Sequence, residues 1–181
     1  MVVGERGYRG LTMEAVARQA GVTKPVVYDA FGNRDEVMIA LLAEEEQRAV
    51  AEMVQAIGAV PGDASVDPGD LLIGGVRRAL ETVRARPQAY RLILLQTEGT
   101  PAVVRERIDA GRRTVTDHVQ QILDWATGPA AGIDTELLAL SIVALGEHAA
   151  RLLLSDPERF GPERFEAGLR QALQALLSPV R

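Results

Sequence analysis

A chain of 181 residues, 47% of them apolar, is long enough to bury a sizeable core, as one large domain or as a small one joined to a larger. The absence of cysteine excludes disulfides and thiolate metal sites, and no run of 18 uncharged apolar residues marks a membrane span, so a cytoplasmic protein is the simplest expectation. The net charge of −5 argues against a general nucleic-acid binder, yet residues 1–34 carry five basic and three acidic side chains, which leaves −7 for the remainder: a weakly basic head on an acidic body.

Met1 to Gly10 carries Glu5, Arg6 and Arg9 and is no signal peptide. The first clear element follows, Thr12 to Phe31, which reads as two short helices joined by a tight turn. Thr12 is a candidate N-cap, since its hydroxyl can accept from first-turn amides. Met13, Val16, Ala17 and Ala20 recur at helical spacing. Gly21 stands where the chain turns and a positive φ is needed. Val22 is the expected apolar anchor of the turn, and Thr23 a second N-cap. Pro25 falls in the first turn of the next helix, where its missing N–H removes no intrahelical bond. Val26, Val27 and Phe31 supply apolar contacts. Ala17, four residues before Gly21, lets the helices approach, and Val27, six after it, closes the small core. That spacing suits a helix-turn-helix, although an ordinary helical hairpin inside an all-α core would share it. In the first case Thr23, Lys24, Pro25, Val26 and Tyr28 face solvent at a basic helix start that fits a major groove.

Asn33 and Glu36 form an Asn version of the capping box, and Asp35 and Glu36 suit the positive end of the following helix. This helix is expected from Arg34 to about Ile57, with Val37, Ala40, Leu41, Val50, Met53, Val54 and Ile57 as a buried stripe and Glu44-Glu45-Glu46 as a solvated face. It would start in the head and end in the body, as a mechanical link. Residues 58–68, GAVPGDASVDP, are a loop, and Asp67-Pro68 opens the next helix, with Leu71, Leu72, Val76, Leu80 and Val83 inward. A short helix from Pro87 to Gln96 directs Tyr90, Ile93 and Leu94 to a core, and residues 98–101 turn. A long helix to Thr127 repeats Val104, Ile108, Gly111, Val115, Val119 and Ile122. Asp134 caps a helix to Leu154 that is apolar nearly all round, and Pro162 to Leu177 is the last, with Phe165, Leu169, Leu173 and Leu176 on one stripe.

The run Gly7 to Leu42 resembles the DNA-binding region of the TetR/AcrR family of transcriptional regulators. The matching pieces are Gly7-Tyr8, Leu11-Thr12-Met13, Val16-Ala17, Ala20-Gly21-Val22-Thr23-Lys24, Val27-Tyr28, Phe31 and Asn33-Arg34-Asp35-Glu36. They cover about a fifth of the chain. The resemblance implies an all-α fold, with an N-terminal helix-turn-helix DNA-binding head over residues 1–45 and a C-terminal helical ligand-binding and dimerisation body over 46–181. In the family a long helix precedes Gly7-Tyr8. Here only residues 2–6 stand in its place, so that helix is expected to be truncated and the head short of cover.

For double-stranded operator DNA the resemblance implies Thr12, Thr23, Lys24, Pro25, Val26, Tyr28 and Arg34. Lys24, the only lysine, can reach a phosphate or a guanine edge, Thr23 and Tyr28 can donate to phosphates, Val26 can meet a thymine methyl, and Arg34 can clamp a phosphate beside free amides. Ala30 departs from the His or Tyr usual before the Phe, and Asp29 is unhelpful unless it points away.

The resemblance also implies a small-molecule effector held among the middle helices. Tyr90, Leu94, Arg112, His118, Trp125 and His148 are candidates, although a lone His in such a place is more often a satisfied core residue. Few charges fall in the stripes, which favours an apolar effector. A homodimer is expected to use Leu138, Ile142, Leu145, Leu152, Leu169, Leu173 and Leu176 in a four-helix interface. Two His at no ligand spacing, no Gly-rich phosphate loop and no G-x-S-x-G argue against an enzyme, a metal or a cofactor. Glu147 and Arg151 are spaced as an i,i+4 ion pair. The reading is therefore a dimeric ligand-responsive transcriptional regulator, a repressor released by its effector. The alternative is a ligand-binding or interaction dimer with impaired DNA binding.

Overall fold

The computed structural model describes residues 12–62, 65–95, 102–128 and 132–177. These residues form eight helices and contain no strand: α1 Met13–Ala20, α2 Lys24–Phe31, α3 Arg34–Ile57, α4 Pro68–Ala85, α5 Pro87–Leu94, α6 Ala102–Thr127, α7 Thr135–Ser155 and α8 Pro162–Leu177. They divide into two compact units. One is Met1–Ala49 with Gln88–Gly111, and the other is Val50–Pro87 with Arg112–Arg181. The stretch expected to hold a truncated first helix and the turn expected at residues 98–101 lie outside the described residues.

The helix starts are set locally. Thr12 Oγ1 accepts from the Ala15 amide at 3.1 Å, Asp67 from Asp70 at 2.8 Å, and Asp134 from Leu137 at 2.9 Å. The capping box closes reciprocally: the Glu36 amide donates to Asn33 Oδ1 at 3.0 Å, and Asn33 Nδ2 donates to Glu36 Oε1 at 3.1 Å. Thr23 sits at the cap position of α2, but its side chain makes no capping bond.

In the first unit one apolar cluster joins Met13 and Ala17 of α1, Val27 of α2, Val37 and Met38 of α3, Leu92 of α5, and Val104 and Ile108 of α6. Val16, Phe31, Ile39 and Ile93 pack around it. The small head therefore takes its cover from a segment more than 50 residues further along the chain. Burying each such side chain is worth about 1.5–3 kcal/mol, more than two short helices hold between themselves. Several expected core positions are exposed instead. Ala20, Ala40, Leu41 and Val22 face solvent, while Ala15 and Met38 are buried in the same stretch. Glu46 corrects the reading of Glu44-Glu45-Glu46 as a solvated face. It is buried, and its Oε2 accepts from Arg107 Nε at 2.5 Å. Beside it the buried Tyr90 hydroxyl donates to the Ala49 carbonyl at 3.3 Å.

In the second unit α4 packs against α7 and α8. Ion pairs stitch α4 to α8: Arg77 to Glu166 at 2.9 Å, Arg84 to Glu163 at 3.1 Å and Asp70 to Arg170 at 2.6 Å. Val119, Leu123 and Ala139 form a small core that Ile57, Ile142 and Val143 flank. The carbonyls at the end of α3 are taken up by side chains. Arg78 Nε donates to the Ala56 oxygen at 2.7 Å and its Nη2 to Ile57 at 3.0 Å, and His118 Nε2 meets the Gly58 oxygen at 2.7 Å. A cation there also complements the negative end of the helix. Gly75 of α4 passes so close that a Cβ on it would lie 3.1 Å from the Ile57 oxygen.

Candidate nucleic-acid interface

The helix-turn-helix is built by α1 and α2, which pack on each other. Gly21 turns between them with φ +69°, and the Gly21 and Val22 amides donate back to the Arg18 and Ala17 carbonyls. A side chain at that φ would be strained. Val27 is buried to 3% and locks α2 inward. The opposite face is open: Val26 is 50% and Tyr28 45% exposed, and Thr23, Lys24, Pro25 and Arg34 are exposed with them. The start of α2 has no acidic residue in its first turn and no side-chain cap, so its amides form a positive spot beside the only lysine. Such a spot can accept an anion, and Val26 and Tyr28 are exposed on the same short helix. Arg34 opens α3 inside the capping box, between Asn33 and Glu36. Thr12 is exposed but occupied as the cap of α1, which makes it a structural residue as well as a candidate contact. Asp29 and Ala30 are exposed too.

One feature of this surface was not read from the sequence. Lys24 Nζ lies 3.0 Å from Glu14 Oε1 in the first turn of α1. The hydrogen bond from Lys24 and then its charge hold the Glu14 carboxyl below its usual value. The same bond and charge hold the Lys24 ammonium above its own. Glu14 and Lys24 are ten positions apart across a turn, a spacing that carries no signal until the helices cross.

The effector candidates divide between the units. In the first, Tyr90 is buried with its hydroxyl spent on Ala49, and Leu94 is half-buried. In the second, Arg112 Nε meets Glu147 Oε1 at 2.6 Å, His118 holds the Gly58 carbonyl, Trp125 is half-buried and His148 is exposed on α7. Glu147 also pairs with Arg151 at 3.4 Å, as the i,i+4 spacing predicts. Of the dimer candidates, Leu145 is 69%, Leu169 41%, and Leu138 and Leu173 each 37% exposed, while Ile142 and Leu152 are half-buried. The Leu176 side chain lies outside the described residues. By length and composition α7 could cross a bilayer, unlike the expectation from uncharged runs. Its Glu147, paired with arginines of α6 and α7, argues for a protein setting. No cluster of metal-ligating side chains occurs among the described residues.

Known proteins resemble this chain in sequence and in fold. Residues 1–41 match the family model for bacterial regulatory proteins of the tetR family. The HTH-type transcriptional activator FasR of Mycolicibacterium smegmatis is 26% identical over 152 residues, covering 84% of this chain and 67% of that protein. The aligned stretch spans only 64% of a second curated relative, an HTH-type regulator of Mycobacterium tuberculosis. Among solved structures, a TetR-like regulator from Rhodococcus sp. RHA1 superposes with a TM-score of 0.67 at 23% identity, covering 96% of this chain and 90% of that one. The regulator FadR of Bacillus subtilis, solved in complex with stearoyl-CoA, gives 0.70 at 17%, covering 99% and 94%. These likenesses establish the fold, and the family match falls on the helix-turn-helix itself. The first 41 residues thus match bacterial regulatory proteins of the tetR family, and the chain shares the fold of TetR-like regulators.

Proposed function

We propose that the chain is a homodimeric, ligand-responsive repressor that binds a near-palindromic operator in the cytoplasm and is released by a small, mainly apolar effector. The observation that carries the DNA half is the open face of α2, with Lys24, Val26 and Tyr28 exposed around an uncapped helix start. Residues 1–45 serve as the DNA-binding head. Lys24, Thr23, Tyr28 and Arg34 take phosphates, and Val26 takes a thymine methyl. Two copies pair through α7 and α8 within residues 46–181. Leu137, Leu138, Leu140 and Leu145 of α7 are exposed, and two-fold pairing is the commonest way to cover such residues. The two recognition helices then sit on the order of 34–36 Å apart, one turn of DNA, or a multiple of it.

The effector acts by binding one conformation better than the other. Arg112, His118 and Trp125 are its candidate contacts in the second unit. A fatty acyl thioester is the first probe, on the likeness to FadR with its bound stearoyl-CoA. The test is binding to the DNA flanking the chain's own gene, for wild type and Lys24→Ala, over a salt series, with and without stearoyl-CoA. Steep salt dependence, a shallower slope in the variant and release by the thioester are expected. Binding strengthened by the thioester would refute release by an effector and leave open an activator, which the FasR relative is. A second reading, an interaction dimer with impaired DNA binding, draws on the occupied Lys24 and on Ala30. No binding by a folded dimer at low salt would favour it.

A further inference from the structure

The head carries its own competitor for DNA. The only lysine of the chain stands at the first position of the recognition helix, where a phosphate would meet it. Its ammonium is instead 3.0 Å from the Glu14 carboxylate of the neighbouring helix. No acidic residue lies in the first turn of α2 itself. Glu14 is thus the carboxylate placed against the ammonium at that helix start. It is also well exposed, at 73% for its side chain against 48% for Lys24, so nothing packed holds it there and a phosphate can take its place. Arg18, one turn further along α1, also draws the Glu14 charge and offers it somewhere to go.

We propose that Glu14 is an affinity-setting residue, an intramolecular stand-in for the DNA phosphate that Lys24 must exchange before it can bind. This rests on the regulator reading above. Whenever Lys24 engages a duplex, the carboxylate has to be displaced, so every complex made through Lys24 is weakened by the strength of the pair. The pair is exposed and accordingly weak, so the brake is mild and salt-sensitive.

The test is a thermodynamic cycle on the full-length protein: wild type, Glu14→Gln, Lys24→Ala and the double variant, each titrated with a random-sequence duplex at low salt. Glu14→Gln tightens binding in both backgrounds by removing a negative charge near the phosphates. The proposal requires the gain to be larger where Lys24 is present, by about 1.5- to 5-fold, as expected for an exposed pair broken on binding. Equal gains in the two backgrounds would mean that Glu14 acts by plain repulsion, and would overturn it. A second readout needs no DNA. The single lysine gives one side-chain resonance after reductive ¹³C-methylation, and its titration midpoint must fall in Glu14→Gln. An unchanged midpoint means no pair in solution and also overturns the proposal. Absence of binding by all four proteins would sink the regulator reading and this one together, whereas binding without coupling sinks only this one.

Discussion

Leu92 offers the sharpest test of how the head is held together. It lies on α5, 8% exposed, in the same apolar cluster as Met13, Ala17 and Val27. Leu92→Ala removes three carbons from that cluster. Such truncations cost about 2–5 kcal/mol, and a side chain not fully sealed belongs in the lower half of that range, about 2–3 kcal/mol. Each 1.4 kcal/mol is a factor of ten, so the slowest amides of α1 and α2 should exchange with deuterium roughly 30- to 150-fold faster. Peptides around Leu153 in α7, in the other unit, should exchange as in wild type. Hydrogen exchange followed by mass spectrometry reads both regions in one experiment. If α5 loosens while α1 and α2 keep wild-type protection, the helix-turn-helix does not depend on that segment and the reasoning fails.

Further outcomes are expected at other single sites. Thr12→Ala loses the cap bond to Ala15 and should lower stability by about 0.5–2 kcal/mol in urea, with Thr12→Ser retaining most of it. Gly75→Ala places a Cβ 3.1 Å from the Ile57 oxygen, an overpacking cost of about 1–3 kcal/mol that exceeds the ~1 kcal/mol gain in helix propensity, so the melting temperature should fall. Gly168→Ala, with nothing within 4 Å, should raise it. Arg107→Met leaves Glu46, its side chain 11% exposed, without its arginine; discounting for the half-open Arg107, a loss of about 1–3 kcal/mol is expected, largely recovered by adding Glu46→Gln. The Glu14–Lys24 attraction depends on Glu14 charged below its ordinary 4.5 and Lys24 charged above its ordinary 10.5. It is therefore fully present between those values, lost as pH falls through the lowered Glu14 value or rises through the raised Lys24 value, and its coupling should be flat from pH 6 to 9.

What could be read from the residues in order was local. Thr12, Asn33 with Glu36, Asp67 and Asp134 cap their helices because a cap needs only a side chain and an amide two or three positions on. The bounds of α3 and α8 follow from such signals. Long-range partners were not legible. Glu46 reads as solvent-facing among three glutamates until Arg107, 61 residues away, is brought against it. Leu41 reads as core, and Met38 goes unnamed in the stripe, until α5 and α6 fix which side of α3 is covered. In the candidate interface the open face of α2 followed from helical spacing, whereas the lysine's acidic neighbour required the crossing of two helices.

The clasp at the end of α3 has a mechanical consequence. Three successive carbonyls, Ala56, Ile57 and Gly58, are held by Arg78 and His118, so the terminus cannot rotate or slide without breaking hydrogen bonds from two different helices. The 24 residues of α3 include neither glycine nor proline, which leaves no built-in hinge. A helix of that length is about 36 Å long, and its last turn is the part that the clasp holds. An end tied in this way does not fray, so the last turn of α3 keeps its helical hydrogen bonds where most helix ends lose them.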